Sequence, residues 1–136
     1  MFLQYFKKKE NKYKDLADNI YSNILSKTKI LIRSKFFKEV NFDSSFEIIS
    51  IFLIFYIKFY KDDKKKNYEK INDELIKNFI NDLDKTMREV GIGDISIGKY
   101  VKKYVKKFYY RVKLLDTILN NFDENEFIKY LSSIKS

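Results

Sequence analysis

Apolar side chains recur every three or four residues along most of this chain, a spacing typical of amphipathic α-helices. The pattern predicts five helices, at about residues 15–34, 45–60, 67–90, 97–120 and from 124 onward. Connectors are expected at residues 35–42 and 61–66. The firmest stripe, in the third helix, consists of Leu75, Ile76, Phe79, Ile80, Leu83, Met87 and Val90. We therefore predict an all-α fold: a single compact helical domain over residues 14–136, preceded by a flexible N-terminal lead-in at residues 1–13.

The second predicted helix carries the longest apolar run, Phe46–Tyr60. A helix that is apolar nearly all round is usually central, with other helices packed on several sides. The run contains Glu47, Ser50 and Lys58 and has about fifteen residues, whereas a membrane-spanning helix needs about twenty apolar residues. We therefore expect a central, buried core helix, with N-cap oxygens supplied by residues 43–45.

The opening residues MFLQYFKKKE place apolar side chains ahead of positive charge, which is the reverse of a signal peptide. No cleavage-site pattern follows them. We expect a cytoplasmic protein, with a peripheral position at the inner face of the inner membrane left open.

The composition excludes several classes of chemistry. The 136 residues include no cysteine and no histidine, so disulfides, zinc–thiolate sites and imidazole general bases are ruled out. The lack of proline and the presence of only three glycines favour long helices over a turn-rich sheet. We predict no catalytic residue, no metal site and no cofactor.

All three glycines lie between the third and fourth predicted helices, in the segment GIGDISIG. Gly91 is expected to end the third helix in a left-handed conformation, and Gly93 to allow a second sharp step. Asp94 is expected to accept hydrogen bonds from nearby amides, and Ser96 to cap the fourth helix. Because only glycine avoids strain at such positions, we expect Gly93→Val to cost stability or binding.

Seven cations and no acidic residue occur between residues 97 and 113, in a chain of net charge +9. The seven, called the basic face below, are Lys99, Lys102, Lys103, Lys106, Lys107, Arg111 and Lys113. Like charges on one helix repel by a few tenths of a kcal/mol per close pair. Ribosomal RNA, an acidic protein or an anionic membrane would relieve this repulsion. The alternative is a solvated lysine face in a chain with an A/T-rich codon bias, and charge alone does not distinguish RNA from lipid.

The stretch Asn81–Lys103 closely resembles the signature of the ubiquinol–cytochrome c chaperone family. In that family an acidic pair is followed by Arg-Glu, a Gly-x-Gly-Asp step, Gly-Lys and a basic amphipathic helix. The matching positions are Asp82, Asp84, Arg88, Glu89, Gly91, Gly93, Asp94, Gly98, Lys99, Val101 and Lys102. A weaker similarity upstream extends the resemblance to roughly residues 20–120. The chain departs from the family pattern at Ser45 and Phe52.

The resemblance implies a non-enzymatic assembly factor for respiratory complex III. Such a factor holds newly made cytochrome b, or a similar hydrophobic membrane protein, acts near the ribosome and works with a small partner protein. The residues it implies for client or partner binding form the corner between two helices: Arg88, Gly91, Gly93, Asp94, Gly98 and Lys99. The compact, A/T-biased sequence looks like a bacterial member of the family.

Two functions of other classes stay open. A general RNA- or ribosome-binding helical module would use the basic face, with neighbouring tyrosines to stack on bases. An enzyme would need Asp82, Asp84, Glu89 or Asp94 as acids or Mg²⁺ ligands. The chain offers no nucleophile–base pair, which argues against the enzyme.

Overall fold

Five α-helices make up the part of the chain that the structure, a computed structural model, describes. That part comprises residues 2–34, 39, 41–61 and 68–135, with side chains described from residue 12 onward except at 60, 61 and 135. The helices are α1 (Phe2–Arg33), α2 (Phe42–Lys61), α3 (Tyr68–Glu89), α4 (Asp94–Asn120) and α5 (Glu124–Lys135). The all-α fold of five helices predicted from the sequence is confirmed.

The first helix is longer than its apolar pattern predicted. It starts at Phe2 instead of about Asp15. Residues 2–14 are rich in lysine, which favours helices but forms no apolar stripe. The apolar periodicity therefore did not predict a helix over these residues. The flexibility of residues 1–13 and the domain limit that follows them remain predictions.

A reciprocal pair of hydrogen bonds starts α2. The Asn41 side-chain oxygen accepts a hydrogen bond from the Ser44 amide at 3.0 Å, and Ser44 Oγ accepts one from the Asn41 amide at 2.9 Å. This capping box satisfies two amides that the first turn leaves free. The N-cap predicted at residues 43–45 is therefore wrong, since Asn41 is the cap and Ser44 contributes from inside the helix. The connectors predicted at 35–42 and 61–66 lie largely outside the described residues.

The apolar helix α2 occupies the centre of the bundle, as predicted. It contacts each of the other four helices. Phe46, Ile48 and Leu53 are at most 2% exposed. Burying one such side chain contributes roughly 1.5–3 kcal/mol, so α2 organises the core. In the described part of the chain, no helix combines the length and the apolar character needed to cross a membrane.

Aromatic rings join α2, α3 and α4. Phe79 of α3 lies between Phe46 and Phe108, with ring centroids 5.8 and 5.1 Å away. Tyr104 contacts the ring of Phe46 edge-on at 5.1 Å. Such pairs contribute about 0.5–1.5 kcal/mol each beyond their burial. The predicted α3 stripe is buried or half-buried except at its last member, Val90, which lies beyond the helix end and is 67% exposed.

Polar contacts complement the packing of α1 on α3, the most extensive helix pair. The Tyr21 hydroxyl donates to Asp82 at 2.7 Å, and the Asn78 amide donates to Asp18 at 2.9 Å. Burial, together with the neighbouring Asp82 carboxylate, raises the pKa of Tyr21 well above its usual range. Asp82, one of the candidate acids, thus helps to hold α1 against α3.

A Schellman motif at Gly91 ends α3. Gly91 has a φ of 96°, which L side chains rarely adopt. The Ile92 amide donates to the Met87 carbonyl and the Gly91 amide to the Arg88 carbonyl, both at 3.1 Å. These two bonds satisfy carbonyls that the last helical turn leaves free. The left-handed C-cap predicted at Gly91 is confirmed.

The other backbone predictions for this corner are wrong. Gly93 is the N-cap of α4 with φ −72° and ψ 160°, an extended conformation open to any residue. A Cβ atom at Gly93 would meet nothing within 4 Å, so the expected strain of Gly93→Val has no basis. Ser96 lies within the first turn of α4 and does not cap it. The Asp94 carboxylate binds the Arg88 guanidinium in place of the expected amides.

A buried glutamate sets the rotation of α4 against α2. Glu47 Oε1 lies 3.0 Å from Arg111 Nη2 and 3.2 Å from Lys107 Nζ, and the Glu47 side chain is only 6% exposed. The Lys107 ammonium also lies 5.3 Å from the ring centroid of Phe46, and the Arg111 guanidinium 5.6 Å from that of Tyr130. Lys107 and Arg111 therefore turn toward the core, which corrects their assignment to the basic face.

We expect Gly91→Ala to lower the free energy of unfolding by about 1–2 kcal/mol, because alanine is strained at a positive φ. Gly93→Ser should change it by less than about 0.5 kcal/mol, because the extended backbone there accepts a side chain and serine is a favourable N-cap residue. Urea unfolding followed by circular dichroism measures both. Equal effects of the two substitutions would contradict the Schellman assignment.

Glu47→Ala should destabilise the fold by about 3 kcal/mol, because it leaves Arg111 largely buried without a counter-charge. The control is Glu126→Ala, which removes an exposed ion pair to Lys129. That change should cost no more than about 0.5 kcal/mol. Thermal and urea unfolding of both variants test the prediction, and a Glu47 variant as stable as the control would refute it.

Candidate functional site

Five of the seven cations of the basic face are exposed along α4. These five are Lys99, Lys102, Lys103, Lys106 and Lys113. Lys107 and Arg111 are instead held by Glu47. No acidic residue occurs between Asp94 and Asp116. The exposed side of α4 is thus cationic over most of its length.

A straight line of exposed side chains follows α4 at steps of four, three, four, three and four residues. Its members, called the α4 stripe below, are Ile95, Lys99, Lys102, Lys106, Tyr109 and Lys113. Ile95 is fully exposed, and Val90 on the same corner is two-thirds exposed. Sequence reasoning missed both aliphatic residues. The four-residue spacing from Ile95 to Lys99 was the available signal, because it places Ile95 on the polar side of α4.

The residues predicted for client or partner binding share one exposed corner. Arg88 Nε donates to Asp84 at 3.0 Å, and its Nη1 donates to Asp94. These hydrogen bonds raise the pKa of Arg88 above its ordinary value. Arg88 thereby links the end of α3 to the start of α4. Gly91, Gly93, Gly98 and Lys99 are exposed around this link.

Three of the four candidate acids have protein partners. Asp84 and Asp94 bind Arg88, while Asp82 accepts a hydrogen bond from Tyr21. Among the described residues, no group of acidic side chains is arranged to hold a metal ion. The Asp82 and Asp94 contacts join helices, whereas the Asp84 contact lies within α3, so these three acids have structural partners.

An open apolar groove of about 410 Å³ lies between α1 and α2. Its lining residues are Ile24, Lys27, Phe52, Phe55, Tyr56 and Phe59. Phe59 is 63% exposed. The sequence pattern marked α2 as apolar on all sides but did not indicate which side the other helices leave uncovered.

Aromatic side chains extend the groove toward α5. Phe55 lies 6.1 Å from Phe59 and 5.8 Å from Phe127, measured between ring centroids. Phe127 in turn lies 6.2 Å from Phe122, which is also 63% exposed. This exposed aromatic surface is a candidate binding site.

The groove and the α4 stripe face different sides of the molecule. Three side chains of α2 bind α4: Asp43 contacts Tyr104, Glu47 contacts Arg111, and Lys58 contacts Asp116. At 3.6 residues per turn, the groove side chains lie about 140° away from these around α2. On α4, the stripe lies opposite the buried Phe108. One partner can therefore occupy the groove while another meets the stripe.

Tyr104 is one of the contacts that hold α4 on α2. Its hydroxyl donates to Asp43 at 2.8 Å, and its ring meets that of Phe42 edge-on at 4.8 Å. Burial, followed by the hydrogen bond to Asp43, raises the pKa of Tyr104 to about 12. This hydroxyl stays protonated at neutral pH and acts as a donor between the helices.

Comparison with protein families identifies the chain. The family profile described as ubiquinol-cytochrome C chaperone matches residues 35–131, which span α2, α3, α4 and much of α5. The matched segment contains the glycine corner, the α4 stripe and the α2 side of the groove. Comparisons with curated proteins and with solved structures find no match. With well over half of its length matched, the chain belongs to the ubiquinol-cytochrome C chaperone family.

Proposed function

We propose that this protein is a non-catalytic assembly chaperone for ubiquinol–cytochrome c reductase. In this proposal it holds an apolar segment of newly made cytochrome b, or of a similar membrane protein, in the groove between α1 and α2. The open aromatic groove carries the proposal, and family membership supplies the kind of client. A small partner protein, which the family resemblance implies, is part of the same proposal.

The spacing of the groove side chains suits a helical client. Phe52, Phe55, Tyr56 and Phe59 recur at three, four and seven residues, the pattern with which one helix packs against another. A membrane-spanning helix of the client presents predominantly apolar side chains and would bury Phe59 on binding. Lys27 at the groove is placed to meet a carboxylate or a helix C-terminus of the client.

The exposed lysines of α4 supply a second contact. In the proposal they bring the chaperone to an anionic partner at the place where the client emerges, either the ribosome or the membrane. The groove and the α4 stripe lie on different sides of the molecule. This placement supports a role in which the groove holds the client while the stripe docks on the anionic partner.

A photocrosslinking amino acid in place of Phe59 should crosslink to cytochrome b during translation in vitro. The matched control is the same amino acid at Tyr110, because Tyr110 is 59% exposed on α4 and lies away from the groove. The proposal expects crosslinks from position 59 and none from position 110. Crosslinks from position 110 alone would assign the client to the other side of the molecule.

Phe59→Asp should weaken client binding about 30-fold, the usual effect of removing an aromatic anchor. Its free energy of unfolding should change by less than about 0.5 kcal/mol, because the side chain is mostly exposed. In a deletion strain, the variant should fail to restore cytochrome b levels, whereas wild type and Ile128→Asp should restore them. Normal cytochrome b in the deletion strain itself would remove the proposed function.

A further inference from the structure

The apolar end of the α4 stripe is unexplained by the fold. Ile95, in the first turn of α4, is fully exposed, and Val90 at the preceding corner is 67% exposed, although the outer side of α4 is otherwise polar. Neither side chain supports the Schellman motif, which is made by backbone groups. Exposed aliphatic side chains at one end of a cationic line indicate a surface that meets an environment both apolar and anionic.

The stripe has the geometry of a helix that lies flat on such an environment. From Ile95 to Lys113 it runs about 27 Å along α4. Lysine side chains at four of its positions are long enough to keep their ammonium groups at a polar boundary while their methylene stems contact apolar groups. Tyr109, which is 49% exposed, is a residue type enriched at membrane–water interfaces.

The local charges favour an anionic surface despite the acids at the corner. Asp84 and Asp94 share Arg88, whose single positive charge offsets one of their two negative charges, and Glu89 is a third acid at this exposed corner. Asp116, at the other end of the stripe, lies 2.7 Å from the Lys58 ammonium. The four stripe lysines between these ends are exposed.

Charge alone does not decide between RNA and lipid as the anionic partner, but the exposed aliphatic side chains do. RNA binds through phosphate contacts and through stacking of bases on flat rings, and neither isoleucine nor valine provides a flat ring. The acyl boundary of a bilayer accepts such side chains, and the burial of their surface adds to the electrostatic attraction. The aliphatic tip thus favours lipid over RNA.

We propose that the α4 stripe docks on an anionic lipid bilayer, with Ile95 and Val90 inserted at the acyl boundary and the stripe lysines among the headgroup phosphates. This inference rests on the part of the proposed function that assigns α4 to an anionic partner, and it does not depend on the groove. In this orientation the groove faces away from the bilayer and stays open to a client arriving from the aqueous side.

Insertion can be observed directly because the protein contains no tryptophan. The full chain carrying Ile95→Trp should show blue-shifted fluorescence with vesicles of phosphatidylcholine containing about one-third phosphatidylglycerol. Brominated lipid should quench this fluorescence. The matched control is Ile128→Trp, at an isoleucine that is half-exposed on α5, and its emission should not change. An unchanged emission from position 95 with these vesicles would overturn the inference.

Affinity for the same vesicles separates the contribution of the aliphatic side chains from that of the lysines. Ile95→Ser should weaken sedimentation with vesicles roughly fivefold to tenfold, and Lys102→Glu/Lys106→Glu roughly 30-fold or more. Controls are Ile128→Ser and Lys29→Glu/Lys85→Glu, which change exposed residues outside the stripe and should bind as wild type. Vesicles of pure phosphatidylcholine should bind weakly in every case.

Two further measurements decide between lipid and RNA and between docking and client holding. The inference would be overturned in favour of RNA if the wild type binds a single-stranded RNA oligomer but not the vesicles. In that case Lys102→Glu/Lys106→Glu would lose the RNA binding and Ile95→Ser would keep it. Phe59→Asp should bind vesicles as wild type does. Vesicle binding with no client crosslinks from position 59 would therefore remove the proposed function and leave the docking surface intact.

Discussion

The burial of α2 is the constraint on which the rest of the structure depends. A helix that is apolar nearly all round cannot face water, so the other four helices pack around it. When α4 turns its own apolar side toward this core, its lysines must face solvent. Where α1 covers α2 only in part, the aromatic groove remains. Both candidate surfaces are thus consequences of enclosing one helix.

Glu47 makes this arrangement specific. A carboxylate inside the core requires counter-charges, and Arg111 and Lys107 supply them from α4. This pairing divides seven clustered cations into two that hold the fold together and five that face solvent. It also fixes the rotation of α4, which leaves Ile95 and the stripe lysines facing solvent.

The two surfaces suit a family of assembly chaperones. The groove offers apolar contacts on one side, and the α4 stripe offers positive charge with an aliphatic tip on the other. Because they lie on different sides, holding and docking need not compete. Two of the acids that suggested catalysis connect helices: Asp82 binds α1 to α3, and Asp94 joins α4 to α3 through Arg88.

The sequence by itself determined the number and type of the helices, the central place of α2 and the glycine cap at Gly91, because periodicity and a left-handed C-cap are local properties. It also carried the family signature. Only the tertiary structure decided that Gly93 is unstrained, that Arg111 pairs with Glu47 64 residues away, and which side of α2 stays open. Those outcomes depend on how helices distant in the chain rotate and cover one another, and a local pattern holds no record of that geometry.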